Sequence, residues 1–200
     1  MLPTPVRVPE TVIKAPEPTV CYLARWDRRK RPDRFFDLVT RFPHVRFIAV
    51  GRSRDESYDR QLRETYGGIE NLELVGFVDQ FGSGRLSEIL GRSWIVVNTA
   101  AREGLPNAFI EAAAHRCAIL SDVDPDGFAS RGGYFVDKGD FAGGLEWLLA
   151  GDRWRQLDHR GHAYVRETFE MEQAVDRHLE AYRAVLGDTA EDALISLTTG

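Results

Sequence analysis

The stretch Trp94-Ile-Val-Val-Asn98, followed after three residues by Arg102-Glu103-Gly-Leu-Pro-Asn-Ala-Phe-Ile-Glu111-Ala-Ala-Ala114, decides how the rest of the chain is read. Its first part is apolar without alternation, as expected of a strand covered by helices on both faces. Its second part passes through a polar loop and then becomes apolar nearly all round, as in a buried helix. A strand, a loop and a buried helix make half of a βαβ unit.

The same alternation extends in both directions. Further strands are predicted at Val20 to Ala24, Arg46 to Val50, Leu72 to Val75, Ala118 to Ser121 and Tyr134 to Val136. Helices are predicted at Pro32 to Arg41, Tyr58 to Tyr66, Arg85 to Gly91, Pro106 to Ala114 and Phe141 to Ala150. The pattern predicts a Rossmann-like α/β domain, a doubly wound parallel sheet of about six strands with helices on both faces. Near the end, Met171, Ala174, Val175, His178, Leu179, Tyr182, Val185 and Leu186 draw one apolar stripe at helical spacing, with His178 as a partly buried packing residue. Residues 1–18 hold five of the nine prolines and read as a semi-rigid interdomain linker. Residues 19–187 form the domain, and 188–200 read as a flexible tail.

Composition narrows the function classes. The 200 residues suit one substantial domain, and 26 basic against 31 acidic side chains give a formal charge of −5. That balance argues against a nucleic-acid binder, which needs a basic field, but leaves room for a local basic pocket. No apolar run reaches the roughly 18 residues of a membrane span, and the first ten residues lack a signal core. Cys21 and Cys117 open apolar runs and read as buried thiols in a reducing compartment, so the chain is placed in the cytoplasm.

A doubly wound sheet binds its ligand beyond the carboxyl ends of its strands. The segment between the first strand and its helix, Arg25-Trp-Asp-Arg-Arg-Lys-Arg-Pro-Asp33, contains no glycine, which speaks against a nicotinamide cofactor. It carries cations instead. Arg25 and Lys30 could clamp a diphosphate, or could belong to a solvated loop; Arg28, Arg29, Arg31 and Arg34 read as solvated. After the strand ending at Asn98, Pro106 suits the first turn of a helix. Backbone N–H groups around Gly104 to Asn107 then mark a helix start able to receive an anion. Glu111 lies in an apolar helix and needs a partner, either a sugar or ribose diol or a buried arginine. Glu103 sits in the loop ahead, so the two carboxylates frame the helix start. Asp122-Val-Asp124 reads as part of an Asp/Pro/Gly turn, and no metal ligand is assigned. The remaining histidines (His44, His115, His159, His162) show no ligand spacing and read as surface or packing residues.

Glu103-x7-Glu111 in this setting resembles the signature of the family 4 (group 1) glycosyltransferases with the GT-B fold. So do Tyr22-Leu-Ala-Arg25 with Lys30, Phe47-Ile-Ala-Val-Gly51 and Leu74-Val-Gly-Phe-Val78, in the same order and spacing, over about Thr19 to Leu186. Ala24 replaces the usual glycine before the arginine, and His115-Arg-Cys117 replaces the glycine-bearing turn after the Glu111 helix.

The resemblance implies a retaining, metal-independent, hexosyltransferase-type enzyme that moves a sugar from a nucleotide-diphosphate sugar to a carbohydrate or lipid-linked acceptor. Arg25 and Lys30 would hold the diphosphate and Glu103 the donor sugar, as catalytic residues. Glu111 would hold the ribose, Gly104, Leu105, Pro106 and Asn107 the sugar and phosphate, and Gly51, Phe77 and Val78 the nucleotide side. No cofactor is implied beyond the donor. The resemblance also implies an amino-terminal acceptor-binding domain, in cis or in trans, through which any membrane contact would be made and without which this chain transfers nothing. The other reading is a non-catalytic nucleotide-sugar-binding subunit of a two-chain transferase.

Overall fold

The structure, a computed structural model, describes residues 2–79, 82 and 84–186; the tail expected at 188–200 lies outside them. In chain order the elements are β1 (Thr19–Leu23), α1 (Pro32–Arg41), β2 (Arg46–Val50), α2 (Glu56–Tyr66), β3 (Leu72–Gly76), α3 (Arg85–Arg92), β4 (Ile95–Asn98) and α4 (Asn107–Ala114). There follow β5 (Ala118–Ser121), α5 (Phe128–Gly132), β6 (Gly133–Phe135), α6 (Phe141–Leu149), α7 (Arg153–Thr168) and α8 (Met171–Leu186).

The six strands form one sheet in the order β3-β2-β1-β4-β5-β6, and every pairing is parallel. The chain moves outward from β1 to β3, then returns to lay β4 on the other side of β1. That reversal opens a crevice above the carboxyl ends of β1 and β4, the place where such sheets take ligands. Successive strand residues face opposite sides, so Tyr22, Phe47, Val97 and Leu120 join one core while Cys21, Ile48, Val96 and Ile119 join the other. Phe35 and Phe36 of α1 and Leu145 and Leu148 of α6 cover the first core. Leu86, Ile89 and Leu90 of α3 and Phe109 and Ile110 of α4 cover the second.

The differences from the sequence reading have physical causes. Strand ends move by a residue, β1 starting at Thr19 and β6 ending at Phe135. Pro106 is not the first helical residue; it precedes α4 with extended angles (φ −73°, ψ 136°). α7 carries no clear sequence period, because its buried face is Trp154, Leu157, Asp158, Gly161 and Val165, with an aspartate and a glycine interrupting the apolar repeat. Gly161 is there to let α7 approach α5: a Cβ on Gly132 would lie 2.8 Å from the Gly161 Cα. The stripe expected on α8 stays mostly exposed, with only Ala174 buried, although His178 is partly buried as expected.

The turn after α4 keeps its shape without the expected glycine. Arg116 takes the left-handed conformation (φ 58°), Cys117 N–H donates to Ala112 O at 2.9 Å, and Arg116 N–H to Ala113 O at 3.0 Å. The left-handed conformation costs a non-glycine residue about 1–2 kcal/mol. Arg116 offsets it by an ion pair at 3.1 Å with Asp158, which is buried.

The proline-rich segment lies against the domain. Val6 N–H donates to Phe169 O at 2.8 Å, and Ala15 accepts from Trp94 Nε1 at 2.8 Å. Between them the Lys14 ammonium donates to the carbonyls of Ser93 and His115, closing the ends of α3 and α4. Both cysteines are buried free thiols.

Candidate functional site

The β1–α1 loop is shaped by Asp27, whose Oδ1 accepts from the N–H groups of Arg29 (3.0 Å) and Lys30 (3.1 Å). Arg31 follows in the left-handed region (φ 48°), forced out of the helical basin by Pro32 behind it. Its guanidinium reaches across the sheet end to the carbonyl of Thr99 and to Asp122 Oδ2 at 2.6 Å. Thr99 returns the tie, donating from Oγ1 to Lys30 O at 2.6 Å and to Arg31 O at 2.8 Å. Tyr22 OH donates to the same Lys30 carbonyl at 3.0 Å, and Ala101 N–H to Arg29 O at 3.1 Å. The loop after β1 is thus stitched to the loop after β4.

That stitching brings Lys30 and Glu103 together. Their side chains form an ion pair across the switch point, both largely buried. Burial pulls the Lys30 ammonium below its usual pKa, opposed by the Asp27 carboxylate. Arg25 stands beside them with its guanidinium mostly exposed and only a loose 3.5 Å contact to Asp27. Arg25, Lys30, Asn98, Glu103, Pro106 and Phe109 line a cavity of about 140 Å³. Among the described residues no side chain caps the start of α4; Phe109 N–H donates to Pro106 O at 2.9 Å, which leaves the N–H groups of Asn107 and Ala108 to meet an anion there.

The other expected residues spread outward. Gly51 (φ 130°) lies under the Arg25 loop, where a Cβ would fall 1.9 Å from Ala24 O. Phe77 is exposed beyond β3 with the Arg52 guanidinium 5.6 Å from its ring centre, while Val78 packs on the second core. Leu105 packs on that same core. Glu111 is not in the small cavity. It faces another of about 710 Å³, bounded by Arg7 and its neighbours in the amino-terminal segment, by α3 and by His115. Burial raises the Glu111 pKa. No arginine pairs with it among the described residues, so that alternative falls.

One correction concerns a cation, and two polar clusters gain defined partners. Arg31 is not a solvated loop residue; it is the tie between the Lys30 loop and β4–β5, and nothing in one dimension announced it. Asp122 receives Arg31 and Arg34, and Asp124 Oδ1 accepts from Ser130 N–H at 3.1 Å, so both carboxylates hold protein partners. His115 is buried between Ser87 Oγ (2.7 Å) and Glu111 O (2.8 Å).

Comparison with known proteins bears on this arrangement. The family described as "Glycosyl transferases group 1" matches residues 17–151. No curated protein sequence matches the chain. Among solved structures, sucrose-phosphate synthase from Thermosynechococcus elongatus superposes with a TM-score of 0.72 at 23% identity, covering 87% of this chain and 47% of that one. Anabaena HepE in complex with UDP-glucose gives 0.70 at 14% identity, covering 84% and 49%. The pneumococcal O-GlcNAc transferase GtfA, in complex with UDP and GlcNAc, gives 0.68 at 15% identity, covering 92% and 40%. These likenesses establish a shared fold, and the chain spans 40% to 49% of the length of those proteins.

Proposed function

Because the chain belongs to the family of group 1 glycosyl transferases, we propose that it holds the nucleotide-diphosphate sugar in a retaining transfer to a carbohydrate or lipid-linked acceptor. The observation that carries this reading is the convergence of Arg25, Lys30 and Glu103 over the carboxyl ends of β1 and β4. Two cations and a carboxylate at the free start of a helix match a ligand with a diphosphate joined to a hydroxyl-bearing ring.

In this reading Arg25 and Lys30 meet the diphosphate, and Glu103 turns from Lys30 to accept from a hydroxyl of the donor sugar. The backbone after Pro106 adds N–H donors, Glu111 accepts from the ribose hydroxyls, and Gly51, Phe77 and Val78 lie toward the base. During transfer the bond between the anomeric carbon and the phosphate oxygen breaks, and an acceptor hydroxyl oxygen bonds to that carbon. The hydroxyl proton leaves with the departing phosphate. Fixed cations in a partly dry site stabilise the charge that grows on the diphosphate, with no metal invoked. The acceptor is presented by a further domain, in cis or in trans, which also makes any membrane contact. Two free buried thiols suit a cytoplasmic setting; among the described residues no helix is long and apolar enough to cross a membrane.

The test is the melting temperature in a panel of UDP-, GDP- and ADP-sugars, since a ligand of the folded state raises it. One base class is expected to raise it in the wild type, and Lys30→Ala to blunt the rise. A panel in which no nucleotide moves the wild-type transition overturns the reading.

A further inference from the structure

The large cavity at Glu111 contains polar groups that the donor contacts described so far do not use. Glu111 on α4 and His115 at its C-cap lie one turn apart, and Ser87 faces them from the first turn of α3. The protons in this cluster can be placed. His115 Nδ1 sits 2.8 Å from Glu111 O, a carbonyl that can only accept, so Nδ1 carries the hydrogen. Burial lowers the His115 pKa, and the nearby Lys14 ammonium and His162 push the same way, against the Glu111 carbonyl bond. The ring is therefore neutral near pH 7 and Nε2 is a bare acceptor. Ser87 Oγ, 2.7 Å away, must donate its hydrogen to it. The hydroxyl hydrogen is thereby spent inside the protein, and the exposed side of Ser87 Oγ offers only lone pairs to the cavity.

We propose that Ser87, held by His115, is a specificity-determining residue that accepts a hydrogen bond from an N–H or O–H group on the nucleoside of the donor. The inference rests on the donor-binding reading above and adds to it a defined polarity. With Glu111 the cavity presents two acceptors, between the apolar flanks of Leu86 and Leu90. It thus selects a nucleoside rich in donors on that side. Arg7, on the segment that walls the cavity, adds a cation to its lining.

The experiment is calorimetry with two probes, the nucleoside diphosphate of the base class that the panel selects and inorganic pyrophosphate. Ser87→Ala is expected to weaken nucleoside-diphosphate binding about fivefold to tenfold, the scale of one neutral hydrogen bond. Pyrophosphate binding should stay unchanged, and Ser87→Thr, which keeps the hydroxyl, should restore the nucleotide affinity. Lys30→Ala should weaken both probes. Unchanged nucleotide affinity in Ser87→Ala, with Lys30→Ala still impaired, overturns the proposal and leaves the donor site standing. Equal losses for both probes in Ser87→Ala reduce Ser87 to a structural role and overturn it as well. A wild-type protein that binds neither probe overturns the donor-site reading, and this inference with it.

Discussion

Glu111→Gln separates the stability of the fold from its proposed use. The Glu111 carboxylate is largely buried without an ion pair among the described residues, and burial raises its pKa above the ordinary value of 4.5. A raised value means that the folded protein holds this proton more tightly than the unfolded chain. The group therefore favours folding below its ordinary pKa, and that contribution is lost as pH rises through the raised value. Above that raised value the charge is a net cost to the fold. An isosteric amide removes the charge, so Glu111→Gln should be more stable than wild type at pH 7 by about 1 kcal/mol, the low end for an unsatisfied buried polar group. The gain should shrink as pH falls toward 4, where protonation removes the charge from the wild-type group. Nucleotide binding should move the other way, falling by about 1.5–3 kcal/mol as a hydrogen bond to a charged group is lost. Urea denaturation at both pH values, read as a midpoint shift at constant slope, measures the first effect, and calorimetry the second. A variant less stable at pH 7 than wild type would refute the reasoning, because it would mean that the carboxylate has a hydrogen-bonding partner within the fold.

Other substitutions probe the site from different sides. Lys30→Ala should weaken nucleotide-sugar binding by about 1.5–3 kcal/mol in calorimetry. Because burial lowers the Lys30 pKa, wild-type affinity should also fall on the alkaline side at a lower pH than that of Lys30→Arg. Arg31→Ala and Asp122→Asn should each loosen the Lys30 loop, and a double-mutant cycle on nucleotide affinity should give a coupling of about 0.5–3 kcal/mol; additive losses would mean that the pair does not act as one tie. Arg116→Gly relieves a left-handed residue but leaves Asp158 buried and unpaired, so a net loss of roughly 2 kcal/mol in urea denaturation is expected.

The parts of the fold that could be read from sequence are those where the local signal and the tertiary demand coincide. Trp94-Ile-Val-Val must be a doubly covered strand, and the strand order places Arg25 and Glu103 over the same crevice once the sheet is wound both ways. The unread parts depend on contacts without a sequence period. α7 hides because two of its buried positions are Asp158 and Gly161, the one held by Arg116 and the other pressed against Gly132. The stripe on α8 has a period, yet among the described residues little covers it, so periodicity alone overstates its burial. Arg31 looked like one more cation in a basic run. Its role depends on a backbone angle and on Thr99 and Asp122, which lie 68 and 91 residues away.

In the proposed donor-binding reading, the Lys30–Glu103 pair lets two largely buried charges neutralise each other until a ligand arrives. Each alone would carry a desolvation penalty of several kcal/mol, and together they offset much of it. On that reading the arrangement limits affinity, because the donor must displace each partner before taking its place. It also selects the ligand. A bare phosphate would satisfy Lys30 and strand Glu103; a bare sugar would do the reverse. Only a molecule carrying an anion and a hydroxyl at the right separation leaves neither charge unpaired. Arg25, exposed and loosely held, is the group free to make the first contact. The stitched loops around Thr99 keep the pair in register while the exchange takes place. On the proposed reading, selection for a phosphate joined to a sugar follows from two residues that pair with each other before they pair with the ligand.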